Sequence, residues 1–155
     1  MVMANTLLSY LAQNGVAYDT LHHRPTRTSM NSSAAARVPG DMLAKSVILE
    51  DDSGYLMAVI PANRHVKIGK LNHVLDRHMG LATEAELARL FADCELGAIP
   101  PIGEAYGMDT IVDNSLIDCS DVYFESGDHE ELIHLKGPAF RQLIKDIPHD
   151  NICTH

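Results

Sequence analysis

Two apolar, β-branched runs, Lys45 to Glu50 and Tyr55 to Ile60, are joined by Asp51-Asp52-Ser53-Gly54. A short polar link ending in glycine between two such runs predicts a β-hairpin. Around it the pattern changes period. Leu7, Leu8 and Leu11 recur at helical spacing between Ala4 and Asn14, and Asn14-Gly15 supplies a stop. Thr83-Glu84-Ala85-Glu86 fits a capping box, with Leu87, Leu90 and Phe91 continuing the helix. Further helices are expected from the cap-rich stretch Thr28 to Ser33, over Val66 to Asp76, and from Gly137-Pro138 onward. Strands are expected at Val16–Leu21, Thr110–Val112, Val122–Glu125 and Glu131–Leu135. Hairpin strands mixed with helices predict an α+β fold on a mixed, largely antiparallel sheet.

At 155 residues the chain reads as one domain, 1–155, long enough for a single buried core. No repeat or low-complexity tract divides it. The longest apolar stretch, Leu56 to Ala62, is too short to cross a bilayer, and the first residues carry no basic leader. Cys94, Cys119 and Cys153 lack metal-type spacing and fit reduced thiols of a cytoplasmic protein. The net charge of −9 argues against a general binder of DNA or of nucleic acids at large. Its distribution is uneven, however. Residues 1–80 carry 8 Lys or Arg against 6 Asp or Glu, whereas residues 81–155 carry 4 against 15. A local phosphate-binding face could be built from Arg24, Arg27, Arg37, Lys45, Arg64, Lys67 and Lys70, and a solvated basic face is the plainer reading.

Three places could carry chemistry. In Cys94-Glu-Leu-Gly97-Ala98-Ile99-Pro100-Pro101, Gly97 can admit a ligand close to backbone. The amides of Gly97, Ala98 and Ile99 precede a stiff proline wall, an arrangement suited to a polarised carbonyl or an anion. Taken alone, the run is weak evidence, because a glycine- and proline-rich run is more often just a turn. Lys45 ends a row in which Leu43, Val47 and Leu49 share its strand face, so its ammonium either snorkels to an edge or lines a pocket. His129 lies in the polar turn Ser126-Gly127-Asp128-His129-Glu130-Glu131, either solvated or at a pocket rim. No nucleophile elbow, P-loop, dinucleotide fingerprint or HExxH is present. The acidic neighbours of Cys94 argue against a thiolate nucleophile.

Met42 to Leu49, Val59 to Ala62, Phe91 to Pro101, Tyr106-Gly107 and Ser126 to Glu130, in this order and spacing, resemble the YbaK/prolyl-tRNA synthetase editing-domain family. The resemblance covers nearly the whole chain. It implies a curved, largely antiparallel sheet flanked by helices. It also implies hydrolysis of mischarged aminoacyl-tRNA, chiefly tRNA for proline bearing alanine, cysteine or another small residue. The length fits a free-standing, trans-acting member. Lys45 then matches the lysine that meets the 3′-terminal nucleotide. Gly97 to Pro101 matches the loop that holds the aminoacyl carbonyl, and His129 matches the pocket histidine. Met30, Asn31 and Ser46 fall where family members differ and would line the amino-acid pocket. The implied partners are the aminoacyl 3′ end of mischarged tRNA and prolyl-tRNA synthetase, with no cofactor, metal or membrane. A non-catalytic small-molecule or tRNA-binding module on the same fold stays open, as does an acidic interaction domain acting through residues 104–131.

Overall fold

The computed structural model describes residues 3–25 and 29–154, with the side chains of residues 29–31 also outside the description. The hairpin forms the centre of the molecule. Strand β2 (Leu43–Asp51) and strand β3 (Gly54–Pro61) pair antiparallel along their whole length, from Ala44 opposite Pro61 to Asp51 opposite Gly54. Arg77 closes the turn, donating from Nε to Asp51 at 2.7 Å and from Nη2 to the Gly54 carbonyl at 3.3 Å.

Six more strands build outward from this pair: β1 (Asp19–His22), β4 (Gly80–Leu81), β5 (Asp109–Asp113), β6 (Asp121–Glu125), β7 (Glu131–Lys136) and β8 (His149–Asp150). The sheet order is β1-β7-β6-β2-β3-β5-β8, with β4 on the far end of β2. The pairings β1·β7, β2·β3, β2·β4 and β6·β7 are antiparallel, and β2·β6, β3·β5 and β5·β8 are parallel. The sheet is therefore mixed and largely antiparallel, curved and unclosed, with helices against it.

Strand alternation sorts the core onto two faces. One face carries Ala44, Ile48, Met57, Val59, Val122, Phe124, Ile133 and Leu135, packed with Leu7 and Leu11 of α1 (Asn5–Gln13) and Phe140 of a later helix. The opposite face holds Leu49, Leu56, Ala58 and Ile60 with Leu71, and, in a separate cluster, Val38, Leu43, Ala62 and Leu132. The helices between are α2 (Ser29–Ala36), α3 (Ile68–Leu75), α4 (Glu84–Leu90), α5 (Asn114–Ile117) and α6 (Gly137–Leu143). Both halves of the expected capping box are present on α4: Thr83 accepts from the Glu86 amide at 3.2 Å, and Glu86 accepts from the Thr83 amide at 3.0 Å.

Most expected elements stand where the sequence places them, with local differences. The first strand begins at Asp19, because Val16 packs against the core instead of joining the ladder. The third helix begins at Ile68, since Val66 bridges to Cys153 and Lys67 donates to the Ile152 carbonyl. Strands β4 and β8 and helix α5 carry no expectation from sequence; the two strands are two residues long and helix α5 four, too short for a periodic signal. Among the described residues no helix is long and apolar enough to cross a membrane.

Candidate active site

The parallel pairing of β2 with β6 is brief. Leu43 lies beside Tyr123 and Ala44 beside Phe124, and the ladder then stops. The first positions past it are Lys45 and Glu125, and alternation puts both on the face that Leu43 and Tyr123 occupy. Beyond this point the strands part, and the glycine–proline segment spans the opening. The Glu95 amide donates to the Gly127 carbonyl at 2.8 Å on the β6 side. The Ser46 hydroxyl donates to the Ile99 carbonyl at 3.1 Å on the β2 side. A strand split with a loop drawn across it is a natural place for a ligand, because the backbone there is freed from ladder hydrogen bonds.

The loop has a definite local cause. The Ala98 amide donates to the Glu95 carbonyl at 3.1 Å, closing a four-residue turn with Gly97 at its third position and φ +84°. A positive φ at that position is what a type II turn requires and what glycine supplies without strain. One expectation is corrected here. The Ala98 amide is taken up by the turn, so of the three amides expected as donors those of Gly97 and Ile99 remain. Gly97 is exposed, whereas Ala98, Ile99, Pro100 and Pro101 are buried and form the wall behind it.

His129 approaches the loop from the other side. Its turn is organised by Asp128, whose Oδ1 accepts from the amides of Glu130 and Glu131, each at 2.9 Å, and from the Ser126 hydroxyl at 3.1 Å. This holds His129 at φ +61°, a conformation uncommon for a residue with a Cβ. Gly127, at φ +108°, lies so near the chain start that an added Cβ would come within 2.9 Å of the Ala4 side chain. The His129 Nε2 hydrogen-bonds the Leu96 carbonyl, and since a carbonyl can only accept, Nε2 carries the proton. Nδ1 is buried with no partner among the described residues. A strained, buried histidine with one committed and one unoccupied nitrogen is a feature that functional sites accumulate.

Lys45 is half-buried, and its Nζ donates to the Ala62 carbonyl at 3.2 Å. Burial draws its pKa below the ordinary lysine value. Lys45 and Ser46, adjacent in sequence, thus serve opposite faces of β2. Ser46 holds the loop, and Lys45 looks toward the side where the chain continues from Ala62 to Arg64, Lys67 and Lys70. Lys67 and Lys70 are exposed, while Arg64 lies 4.0 Å from Asp41. The structure ties Ser46 to Ile99 and His129 to Leu96, at two points of the same loop, and sets Lys45 across the strand from Ser46. The side chains of Met30 and Asn31 lie outside the described residues, as do Arg27 and Thr28 altogether.

Cys94 is indeed unsuited to nucleophilic work. Burial pushes its thiol up to about 12, and neighbouring Asp93 adds to the effect. Its Sγ lies 3.1 Å from the Tyr106 hydroxyl, which donates to Asp93 at 3.0 Å. Asp93 in turn accepts from the Thr6 amide at 3.0 Å. This network ties the approach to the loop onto α1, so its role is anchorage.

Sequence reasoning passes over one group, a polar cluster beneath α2. Glu125, 2% exposed, takes a hydrogen bond from the Ser32 hydroxyl, and His23 Nε2 lies 3.9 Å from the same carboxylate. Burial pushes Glu125 up to about 7. The available signal is an acid placed on the same strand face as Tyr123, directly after the run Val122-Tyr123-Phe124.

Comparison with known proteins now bears on the site. The family model for the aminoacyl-tRNA editing domain matches residues 23–143, which include the Lys45 strand, the Gly97 loop and the His129 turn. No curated protein matches the chain in sequence. Among solved structures, a hypothetical protein is similar at TM-score 0.84 and 20% identity, over 97% of this chain and 100% of the other. A candidate trans-editing enzyme for prolyl-tRNA synthetase is similar at TM-score 0.82 and 16% identity, over 97% and 96%. A candidate signal transduction protein from Marinobacter aquaeolei VT8 is similar at TM-score 0.80 and 20% identity, over 97% of this chain and 30% of that one. At such identities the structural likeness establishes the fold alone, and the family rests on the model that spans most of the sequence. The chain belongs to the aminoacyl-tRNA editing domain family.

Proposed function

We propose that this protein is a trans-acting aminoacyl-tRNA deacylase that hydrolyses mischarged tRNA, with tRNA for proline bearing alanine, serine, threonine or cysteine as its substrate. The observation that carries this reading is the Gly97 loop, fastened across the β2–β6 split by Glu95, Ser46 and His129. Ester hydrolysis needs no protein nucleophile here, because an aminoacyl ester is already activated toward water. Water adds to the carbonyl carbon, the bond to the ribose oxygen breaks, and that oxygen recovers a proton. What the protein must supply is orientation and donors for the developing oxyanion.

The amides of Gly97 and Ile99 supply those donors, and the proline wall keeps them in place. Lys45 meets the terminal nucleotide phosphate, its ammonium steered by the Ala62 carbonyl. His129 holds the loop through Nε2 and offers the Nδ1 lone pair to the attacking water or ribose hydroxyl. Ser46 lines the side-chain pocket with Ala98, Ile99, Pro100 and Pro101, and the family resemblance assigns Met30 and Asn31 to substrate binding as well. The 3′ end of the tRNA approaches over Lys67 and Lys70, a basic strip on an otherwise acidic protein. The protein works in the cytoplasm, with prolyl-tRNA synthetase the source of its substrates.

The test is hydrolysis of alanyl-, seryl-, threonyl-, cysteinyl- and prolyl-tRNA under identical conditions. An apolar pocket separates neighbours differing by a heavy atom or two by only ~1–3 kcal/mol, so several small esters are cleaved and the prolyl ester is spared. Rapid loss of the prolyl ester, or of none of the five, removes the reading.

A further inference from the structure

Among the described residues, Glu125 carries the one buried carboxylate oxygen left without a hydrogen-bond partner. Its Oε1 is taken by Ser32, while Oε2 is buried with no partner among the described residues. Among the described residues, no neighbour hydrogen-bonds Oε2. His23 Nε2, 3.9 Å from Oε1, is beyond hydrogen-bond reach, pairs with that oxygen only when protonated and leaves Oε2 untouched; its Nδ1 lies 2.7 Å from the Arg24 carbonyl. Asp128, on the turn just after β6, is an acid and disfavours the carboxylate. Lys45 occupies the neighbouring position past the β2–β6 ladder but donates to Ala62, and among the described residues no ion pair joins it to Glu125. A buried carboxylate without a counter-cation is costly, and the cost disappears when a cation arrives.

The reading of the site as an aminoacyl-ester hydrolase, on which this inference rests, brings such a cation. Every aminoacyl ester carries an α-ammonium two bonds from the carbonyl carbon that the Gly97 loop is placed to hold. Glu125 closes β6 two residues before Gly127, the residue that anchors that loop through the Glu95 amide. We infer that Glu125 is a substrate-recognition residue whose unpartnered Oε2 receives the α-ammonium of the aminoacyl group, with Ser32 fixing the orientation of the carboxylate. The site therefore distinguishes an aminoacyl ester from an ester of the same size that lacks the amine. His23 and Ser32 act as positioning residues, setting the carboxylate from α2 and the segment before it.

The test compares the alanyl ester with the lactyl ester of the same tRNA, in which a hydroxyl replaces the ammonium, for wild type and Glu125→Gln. Each ratio of kcat/KM is taken within one preparation, so a reduced folded fraction cancels. The difference in intrinsic lability between the esters also cancels between the two proteins. A charge-assisted hydrogen bond implies that Glu125→Gln lowers the alanyl preference on the order of ten- to a hundredfold. An unchanged ratio overturns the inference while leaving the deacylase reading intact. Cleavage of neither ester by wild type removes that reading and the inference with it.

Discussion

The amide of Glu95 and the carbonyl of Gly127 are 2.8 Å apart, joining two turns that lie more than thirty residues apart in the chain. Through this bond the loop that offers free amides and the turn that carries His129 become one rigid unit. Its rigidity makes Gly97 a sharp probe. At φ +84°, Gly97→Ala strains the turn by roughly 1–2 kcal/mol. The deacylation rate per folded molecule is expected to fall further than this loss of stability explains, since a Cβ would also intrude where the proposed mechanism holds the ester carbonyl. Melting temperature and single-turnover hydrolysis, measured together, separate the two effects. If unfolding accounts for all the lost activity, the loop is only scaffold.

Lys45→Ala removes an ammonium whose hydrogen bond in the structure is to the Ala62 carbonyl. The fold is expected to persist, because the stem contributes only the edge of a core face. Deacylation is expected to fall about ten- to a hundredfold or somewhat more, the worth of one charge-assisted contact to phosphate. Near-normal single-turnover hydrolysis by the folded variant takes Lys45 out of the site.

The exposed side chain of Lys67 stands on the stretch that leads away from Ala62 and Lys45. Lys67→Glu should weaken tRNA binding and reduce the slope of log affinity against log salt by roughly one. Glu130→Lys, on the acidic side, should not weaken it. Filter-binding titrations across salt concentrations compare the two, and equal losses would contradict this orientation of the tRNA.

Glu125 makes stability depend on pH in a direction opposite to most carboxylates. Burial raises it from the usual 4.5 to about 7, so the folded state holds a proton that the unfolded chain releases. Its stabilising contribution is full below pH 4.5, declines as pH rises between 4.5 and 7, and is lost above 7. The decline is on the order of 3 kcal/mol. Glu125→Gln should flatten it, which denaturant titrations at pH 4.5 and 8 would show. A Glu125→Gln protein that loses as much stability across this window as wild type would place the pH dependence elsewhere.

Thr83 caps a surface helix, and its capping box is complete. Thr83→Ala should cost about 1 kcal/mol of stability without changing deacylation per folded molecule. A loss of activity beyond the unfolded fraction would link α4 to the site.

Local chemistry made much of this protein legible from its sequence. The central hairpin follows from two β-branched runs around a polar turn, α4 from its capping box, and the Gly97 turn from glycine ahead of two prolines. Each signal lies within a few residues of what it specifies, so no partner elsewhere in the chain is needed to read it. Which face of β2 serves which task is also partly legible, since alternation alone separates Lys45 from Ser46. The tertiary structure decided what those faces meet. Leu43 and Ala44 pair with Tyr123 and Phe124 across some eighty residues, and the ladder stops after two pairs because β2 and β6 diverge. No local pattern encodes where a parallel pairing ends, since each strand reads the same whether its neighbour continues or turns away. That divergence creates the split, draws the Gly97 loop across it and buries Glu125 beside Ser32 and His23 with one carboxylate oxygen unpartnered among the described residues. The use of the Ala98 amide in closing its own turn was settled in the same way, by geometry that residue types alone leave open.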